Sequence, residues 1–255
     1  MSNINSEYTK SLVSSFYDCD GGNPNYPIWF CGIEHGGDYD KNKTEIFDAY
    51  LENKNFDTPT SWADEDYQDS ITAAGNFNRY IAAFYSNYEN IIFHSLKNDV
   101  AVEFVRNNGI LHPNGIGFKI NLLPFRKRSL DSNSITELNN LMDGDYLTEV
   151  LSARRKFFFK QIQKYQTKLV ICSGITLIND FYKFFSKNPL GDIPLSQSYT
   201  IVRKNGKTKE ISYYEFPSIE NCKILVIPFL GKQSGFNGYK EVSQFAELIQ
   251  SRNLG

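Results

Sequence analysis

The sequence predicts an α/β fold: a three-layer α/β/α sandwich around a central, mainly parallel sheet of about four strands, with an inserted β-hairpin. Three observations predict it. Runs at Pro27–Gly32, Gly117–Leu123, Lys168–Cys172 and Lys223–Phe229 have strand length and are mostly apolar, as buried strands are. Segments with helical spacing lie between these runs, which suits βα units and a parallel sheet. Finally, two alternating β-rich runs flank Asn205-Gly206, a strong hairpin signal.

Taken in order, residues 1–26 form a polar N-terminal extension, with a short helix expected over 7–17 and a loop at Gly21-Gly22-Asn23-Pro24. Pro27–Gly32 is the first strand. Residues 38–70 are acidic and irregular, with a helix expected near Lys43–Glu52. Ser70–Tyr85 reads as a helix because Ile71, Ala74, Phe77, Ile81 and Phe84 share helical spacing, and residues 87–107 read as another. The second strand, Gly117–Leu123, stops at Pro124, which has no N–H to give a ladder. Tyr146–Tyr165 is a long amphipathic helix carrying Arg154-Arg155-Lys156. The third strand, Lys168–Cys172, meets Gly174, which opens the helix Ile175–Ser186. The hairpin, residues 198–216, is expected as an insertion at the sheet edge or rim. Lys223–Phe229 is the last strand, Gly231–Gly238 a glycine-rich loop and Tyr239–Arg252 the closing helix. The whole of 1–255 reads as one domain.

Composition narrows the function classes. The formal net charge is −2, so the global basic excess usual in nucleic-acid binders is absent, although a local patch remains open. An aromatic share of 15% supplies a large apolar core and leaves room for a few stacking surfaces. The four cysteines, Cys19, Cys31, Cys172 and Cys222, contain no C-x-x-C pair and signal neither a zinc ribbon nor a disulfide framework. Cys31 and Cys172 lie inside apolar runs and read as reduced core residues. Met1–Lys10 is polar and lacks the apolar core of a secretion signal. No apolar run is long enough to span a bilayer. The expectation is a cytoplasmic protein with no membrane partner; the oligomeric state is open.

Chemistry is expected where the strands end. Ligands in open α/β sheets bind just beyond the carboxyl ends of the strands. The loops Gly32–Asp38, Asn121–Ser129 and Gly231–Gly238 all open on one edge if their strands are parallel. The first, Gly32-Ile33-Glu34-His35-Gly36-Gly37-Asp38, puts a carboxylate and an imidazole among glycines, which makes Glu34 the first candidate for catalysis.

The order of these motifs resembles the uracil-DNA glycosylase superfamily. Gly32-Ile33-Glu34-His35-Gly36 stands where that family has a strand ending in a Gly-x-x-Pro-Gly or Gly-Gln-Asp-Pro-Tyr loop. Phe118-Lys119-Ile120-Asn121-Leu122-Leu123-Pro124 stands where a strand carries the base-reading Asn. Lys168–Gly174, containing Ser173, matches the strand that follows. Val226–Tyr239 matches the late strand, the loop that enters DNA and the C-terminal helix. The resemblance runs from about residue 27 to the C-terminus, interrupted by the hairpin.

The resemblance implies a monofunctional DNA glycosylase. It would hydrolyse the N-glycosidic bond of a flipped uracil or modified pyrimidine in single- or double-stranded DNA, without a cofactor or metal. Glu34 then stabilises the sugar cation or orients water, and His35, standing where the family has Pro, is a second catalytic candidate. Gly32, Ile33, Gly36, Asn121 and Ser173 form the substrate site, with Tyr39 or Phe77 as aromatic platform. An amide at Asn121 offers a donor and an acceptor to a pyrimidine edge. Arg126, Lys127 and Arg128 form a phosphate patch. Lys232, Ser234 and Asn237 belong to the DNA-entering loop, with Phe236 as its wedge and the N–H groups of 235–238 open to an anion. Gly36 leaves room for a 5-substituent where strict uracil enzymes have Tyr, which suits a 5-modified pyrimidine and action on modified foreign DNA. The loop lacks the family's His-Pro-Ser, having Gly231-Lys232-Gln233-Ser234 instead, and no iron–sulfur cysteine pattern is present.

Two other readings stay open. Glu34, His35, Asp38 and Asp40 are a possible ligand set for a metal-dependent hydrolase, although adjacent Glu and His do not easily face one ion. A module on the same fold that binds DNA or protein without chemistry is the other, since a fold never guarantees a function.

Overall fold

A computed structural model describes residues 14–16, 20–33, 57–59, 61, 76–91, 98–123, 146–231 and 235–253. The expectations for a helix over 7–17 and one near Lys43–Glu52 fall largely or wholly outside these residues. The described strands are β1 (Gly21–Gly22), β2 (Ile28–Gly32), β3 (Phe118–Asn121), β4 (Leu169–Ser173), β5 (Gln197–Val202), β6 (Thr208–Pro217) and β7 (Lys223–Ile227). The described helices are α1 (Asn76–Tyr88), α2 (Asn98–Asn108), α3 (Tyr146–Tyr165), α4 (Ile178–Phe185) and α5 (Tyr239–Ser251).

The sheet is larger and more mixed than the four mainly parallel strands expected. Seven strands run in the order β1-β3-β2-β4-β7-β6-β5. β3, β2, β4 and β7 pair in parallel with one another. β1 adds antiparallel to β3 at one side, and the β6–β5 hairpin adds antiparallel to β7 at the other. The hairpin therefore extends the sheet itself. Its turn closes as expected around Asn205-Gly206: Gly206 N–H donates to the Arg203 carbonyl at 2.9 Å, and Gly206 takes φ +78°, a left-handed conformation that suits glycine.

Alternation along the strands builds two cores, one on each face. Ile28 and Phe30 of β2, Leu169 and Ile171 of β4, and Leu225 and Ile227 of β7 pack under α1, α2 and α5. Trp29 and Cys31, Val170 and Cys172, and Ile224 and Val226 pack under α3 and α4 on the other face. Helices thus cover both faces. Cys31, Cys172 and Cys222 are buried free thiols.

Two helix boundaries differ from expectation. The helix expected over 87–107 breaks after Tyr88, where Asn90 turns left-handed at φ +57° and Ile91 N–H reaches the Ser86 carbonyl at 2.7 Å. This is a Schellman-type stop, and α2 begins at Asn98. After β4, a short 3₁₀ turn over Ile175–Leu177 precedes α4. Arg155 secures the far end of α4 by donating to the carbonyls of Phe184 and Ser186 at 3.0 and 2.8 Å.

One buried hydroxyl ties α1 to the sheet. Tyr85 Oη lies 2.9 Å from the Ile28 carbonyl and 3.0 Å from the Phe118 carbonyl, and it accepts the Phe118 N–H at 3.1 Å. Burial pushes this phenol well above the ordinary tyrosine range. Tyr85→Phe leaves backbone groups of β2 and β3 unsatisfied in the core. The expected loss is about 2 kcal/mol of stability, read from a urea unfolding curve.

Candidate functional site

The parallel strands place the site by their order. From β2 the chain crosses outward to β3, then returns past β2 to β4. The helices after β2 and those after β3 lie on opposite faces. The carboxyl ends of β2 and β4 therefore flank a topological switch point, where connections leave in opposite directions, the place at which open α/β sheets bind their ligands.

Three of the expected substrate-site residues meet there. Gly32 pairs with Asn121 in the β2–β3 register, and Cys31 pairs with Cys172 one residue earlier, which sets Ser173 level with Gly32 on the other side. Strand alternation puts all three on the face covered by α1 and α5. Asn121 and Ser173 are almost fully buried. The Asn121 amide leans over Gly32: a Cβ there would sit 2.5 Å from Asn121 Oδ1 and 3.6 Å from the Phe77 ring. Glycine at 32 is what lets the amide and the ring share the end of β2. Phe77, at the start of α1, thus stands beside Asn121 as an aromatic neighbour. Ser173 Oγ accepts the Leu230 N–H at 3.1 Å and so ties the β4 end to the segment after β7. Ile33 faces the opposite core, and its carbonyl accepts the Leu123 N–H at 2.9 Å.

Asn121 is held by a pair of residues that the sequence reading did not select. Among the described residues β1 covers Phe118 and Lys119 and does not reach the outer edge of Asn121. Asp20 and Arg154 take the place of that strand. Asp20 Oδ1 accepts the Asn121 N–H at 2.9 Å, and Arg154 Nη2 donates to the Asn121 carbonyl at 3.0 Å. The two side chains pair with each other at 2.7 Å, both fully buried. Burial pushes the Asp20 carboxyl up, against the opposing pull of Arg154 and of the Asn121 N–H. On its inner side β3 continues to follow β2, with Leu122 N–H donating to the Gly32 carbonyl at 3.0 Å. Arg154 had a signal in the sequence: it falls on the buried stripe of α3, between Val150 and Phe158. Asp20, just ahead of two glycines, had none.

The late loop corrects one expectation and narrows another. Phe236 is not a wedge facing DNA: it is fully buried, with its ring centroid 5.0 Å from that of Phe245. It anchors the neck of the loop, where Leu230 and Phe236 form a bridge and Gly231 N–H donates to the Phe236 carbonyl at 2.7 Å. At the start of α5, one of the N–H groups expected to face an anion is already engaged. Glu241 Oε2 already accepts the Asn237 N–H at 3.0 Å, placing a carboxylate of the chain itself at the helix start. Asn237 itself is exposed.

Glu34, His35, Gly36, Tyr39, Arg126, Lys127, Arg128, Lys232 and Ser234 lie outside the described residues, as do Asp38 and Asp40 of the metal reading. Among the described residues, no group of three His, Cys, Asp or Glu side chains is placed to hold a metal ion. No described helix is long and apolar enough to cross a membrane. Compared with known protein-family models and with curated proteins, the chain matches none.

The Asp20–Arg154 pair gives a test of how the site is held. Arg154→Met leaves a buried carboxyl without its cation and costs about 3–5 kcal/mol. The double variant Asp20→Asn with Arg154→Met recovers part of that loss, because no uncompensated charge remains. Denaturant unfolding of the two single variants and the double one checks this.

Proposed function

We propose that the chain is a monofunctional DNA glycosylase that removes a flipped uracil or 5-modified pyrimidine and leaves an abasic site, and that it acts in the cytoplasm. The observation that carries this reading is the single row of Gly32, Asn121 and Ser173 on one sheet face at the switch point, with the Phe77 ring against its centre. A base needs an amide that offers a donor and an acceptor, and a flat apolar surface beside it. Asn121 and Phe77 supply that combination. The resemblance of Gly32–Gly36, Phe118–Pro124 and Val226–Tyr239 to the uracil-DNA glycosylase superfamily supports the same reading.

In the proposed reaction a water oxygen bonds to the anomeric carbon as the carbon–nitrogen bond breaks, and the bonding pair leaves with the base. Positive charge grows on the sugar, and Glu34, one residue beyond Ile33, stabilises it and takes the proton of the attacking water. The departing base carries negative charge, which His35 or Lys232 offsets before the base is protonated. Asn121 reads the base edge while Asp20 and Arg154 keep its backbone from shifting. Gly36 leaves space for a substituent at the base 5-position.

The test is a panel of duplex and single-stranded DNA carrying uracil, mismatched and 5-substituted pyrimidines, scored for alkali-labile sites. The expected result is strand breakage at one or more of these bases, reduced about 10²–10⁴-fold by Glu34→Gln. Gly36→Tyr is expected to remove activity on 5-substituted bases before activity on uracil. DNA binding with no abasic sites across the whole panel would overturn the enzyme reading in favour of a non-catalytic DNA-binding module.

A further inference from the structure

The β5–β6 hairpin carries the densest positive charge among the described residues close to the late loop. Arg203, Lys204, Lys207 and Lys209 fall within seven residues that include no acid, in a chain whose formal net charge is −2. Lys204 and Lys207 are exposed at the tip. The hairpin is also fixed in place. Gln244 of α5 exchanges two hydrogen bonds with the Val202 backbone, both at 2.8 Å, and Tyr199 Oη donates to the Gln244 carbonyl at 3.3 Å. Lys209 Nζ donates to the Gly235 carbonyl at 2.6 Å, which joins the hairpin to the neck of the late loop.

Between tip and loop lies a cleft of about 470 Å³ lined by Arg203, Lys204, Asn205, Asn237 and Glu241. The one carboxylate lining it is already engaged. Glu241 accepts the Asn237 N–H at 3.0 Å and pairs with Arg203 at 3.6 Å. Glu210, next along β6, is exposed. Of the lining residues, Lys204 and Asn237 are exposed to solvent, and Lys207 is exposed just across the Asn205-Gly206 turn.

We propose that this hairpin tip is a binding site for the phosphate backbone of DNA, with Lys204 and Lys207 each neutralising one phosphate on the strand that the late loop engages. The inference rests on the DNA-glycosylase reading for its choice of polyanion. Such contacts hold the DNA in register without reading sequence. They also give a chain of net negative charge a local field that attracts the backbone.

The experiment measures binding of a fluorescent duplex without a target base by anisotropy across a salt series, for the full chain and for the double variant Lys204→Gln with Lys207→Gln. Losing two phosphate contacts is expected to flatten the slope of log K against log salt by about 1.8. The affinity lost between about 50 and about 200 mM salt then shrinks about tenfold. The thermal melt stays unchanged, since both lysines are exposed. An unchanged slope in a variant of a chain that still makes abasic sites overturns the hairpin site and leaves the glycosylase reading standing. A flattened slope in a chain that makes no abasic sites supports the hairpin site and sinks the glycosylase reading. A full chain that neither binds DNA nor excises a base overturns both.

Discussion

The buried ion pair between Asp20 and Arg154 is the constraint on which the candidate site depends. A parallel strand toward the margin of its sheet must satisfy its outer backbone groups, and the described residues of β1 do not reach the last residue of β3. A carboxylate takes the Asn121 N–H and a guanidinium feeds its carbonyl, at 2.9 and 3.0 Å. Each charge also answers the other, so neither stands alone in the core. The arrangement costs desolvation, and a longer β1 would have supplied the same two backbone bonds without it. What two side chains achieve instead is a strand end held on its outer edge while its inner edge stays bonded to β2.

The pleat of the sheet then does the sorting. Because successive residues face opposite layers, a residue that ends a strand on the α1 side joins the same row as its neighbours in adjacent parallel strands. Gly32, Asn121 and Ser173 share this row for that reason alone. One residue earlier, Cys31, Ile120 and Cys172 belong to the other core. A slip of one residue in any pairing would remove a member of the row and bury it under α3.

Much of this was legible in the chain. The four parallel strands fall where apolar runs of strand length stood, and α3 spans Tyr146–Tyr165 as its spacing required. Asn205-Gly206 marked the hairpin because a left-handed position in a tight turn leaves few residue choices. The size of the sheet was not legible: β1 is two glycines without hydrophobic pattern, and an alternating hairpin does not say whether it lies on a sheet or continues it. Phe236 is ambiguous in sequence because an aromatic in a glycine-rich loop looks the same whether it points out or in; Phe245, nearly two turns into α5, takes its ring in the core. Arg154 was hidden in a basic triplet, where a charge run suggests solvent, although its place on the apolar stripe of α3 told against that. Asp20 needed the third dimension, being 101 residues from the amide it holds.

The grip of Gln244 on Val202 has one more consequence. β5 ends the sheet, and an uncovered outermost strand offers its N–H and carbonyl groups to any extended chain that comes alongside. A side-chain amide has the donor and acceptor of a peptide unit but no chain to continue the ladder. By filling both positions at Val202, Gln244 imitates the first bond pair of a neighbouring strand and then stops. A second molecule arriving edge-on meets an occupied register beside Val202, so the tip end of β5 is closed to strand addition at that residue.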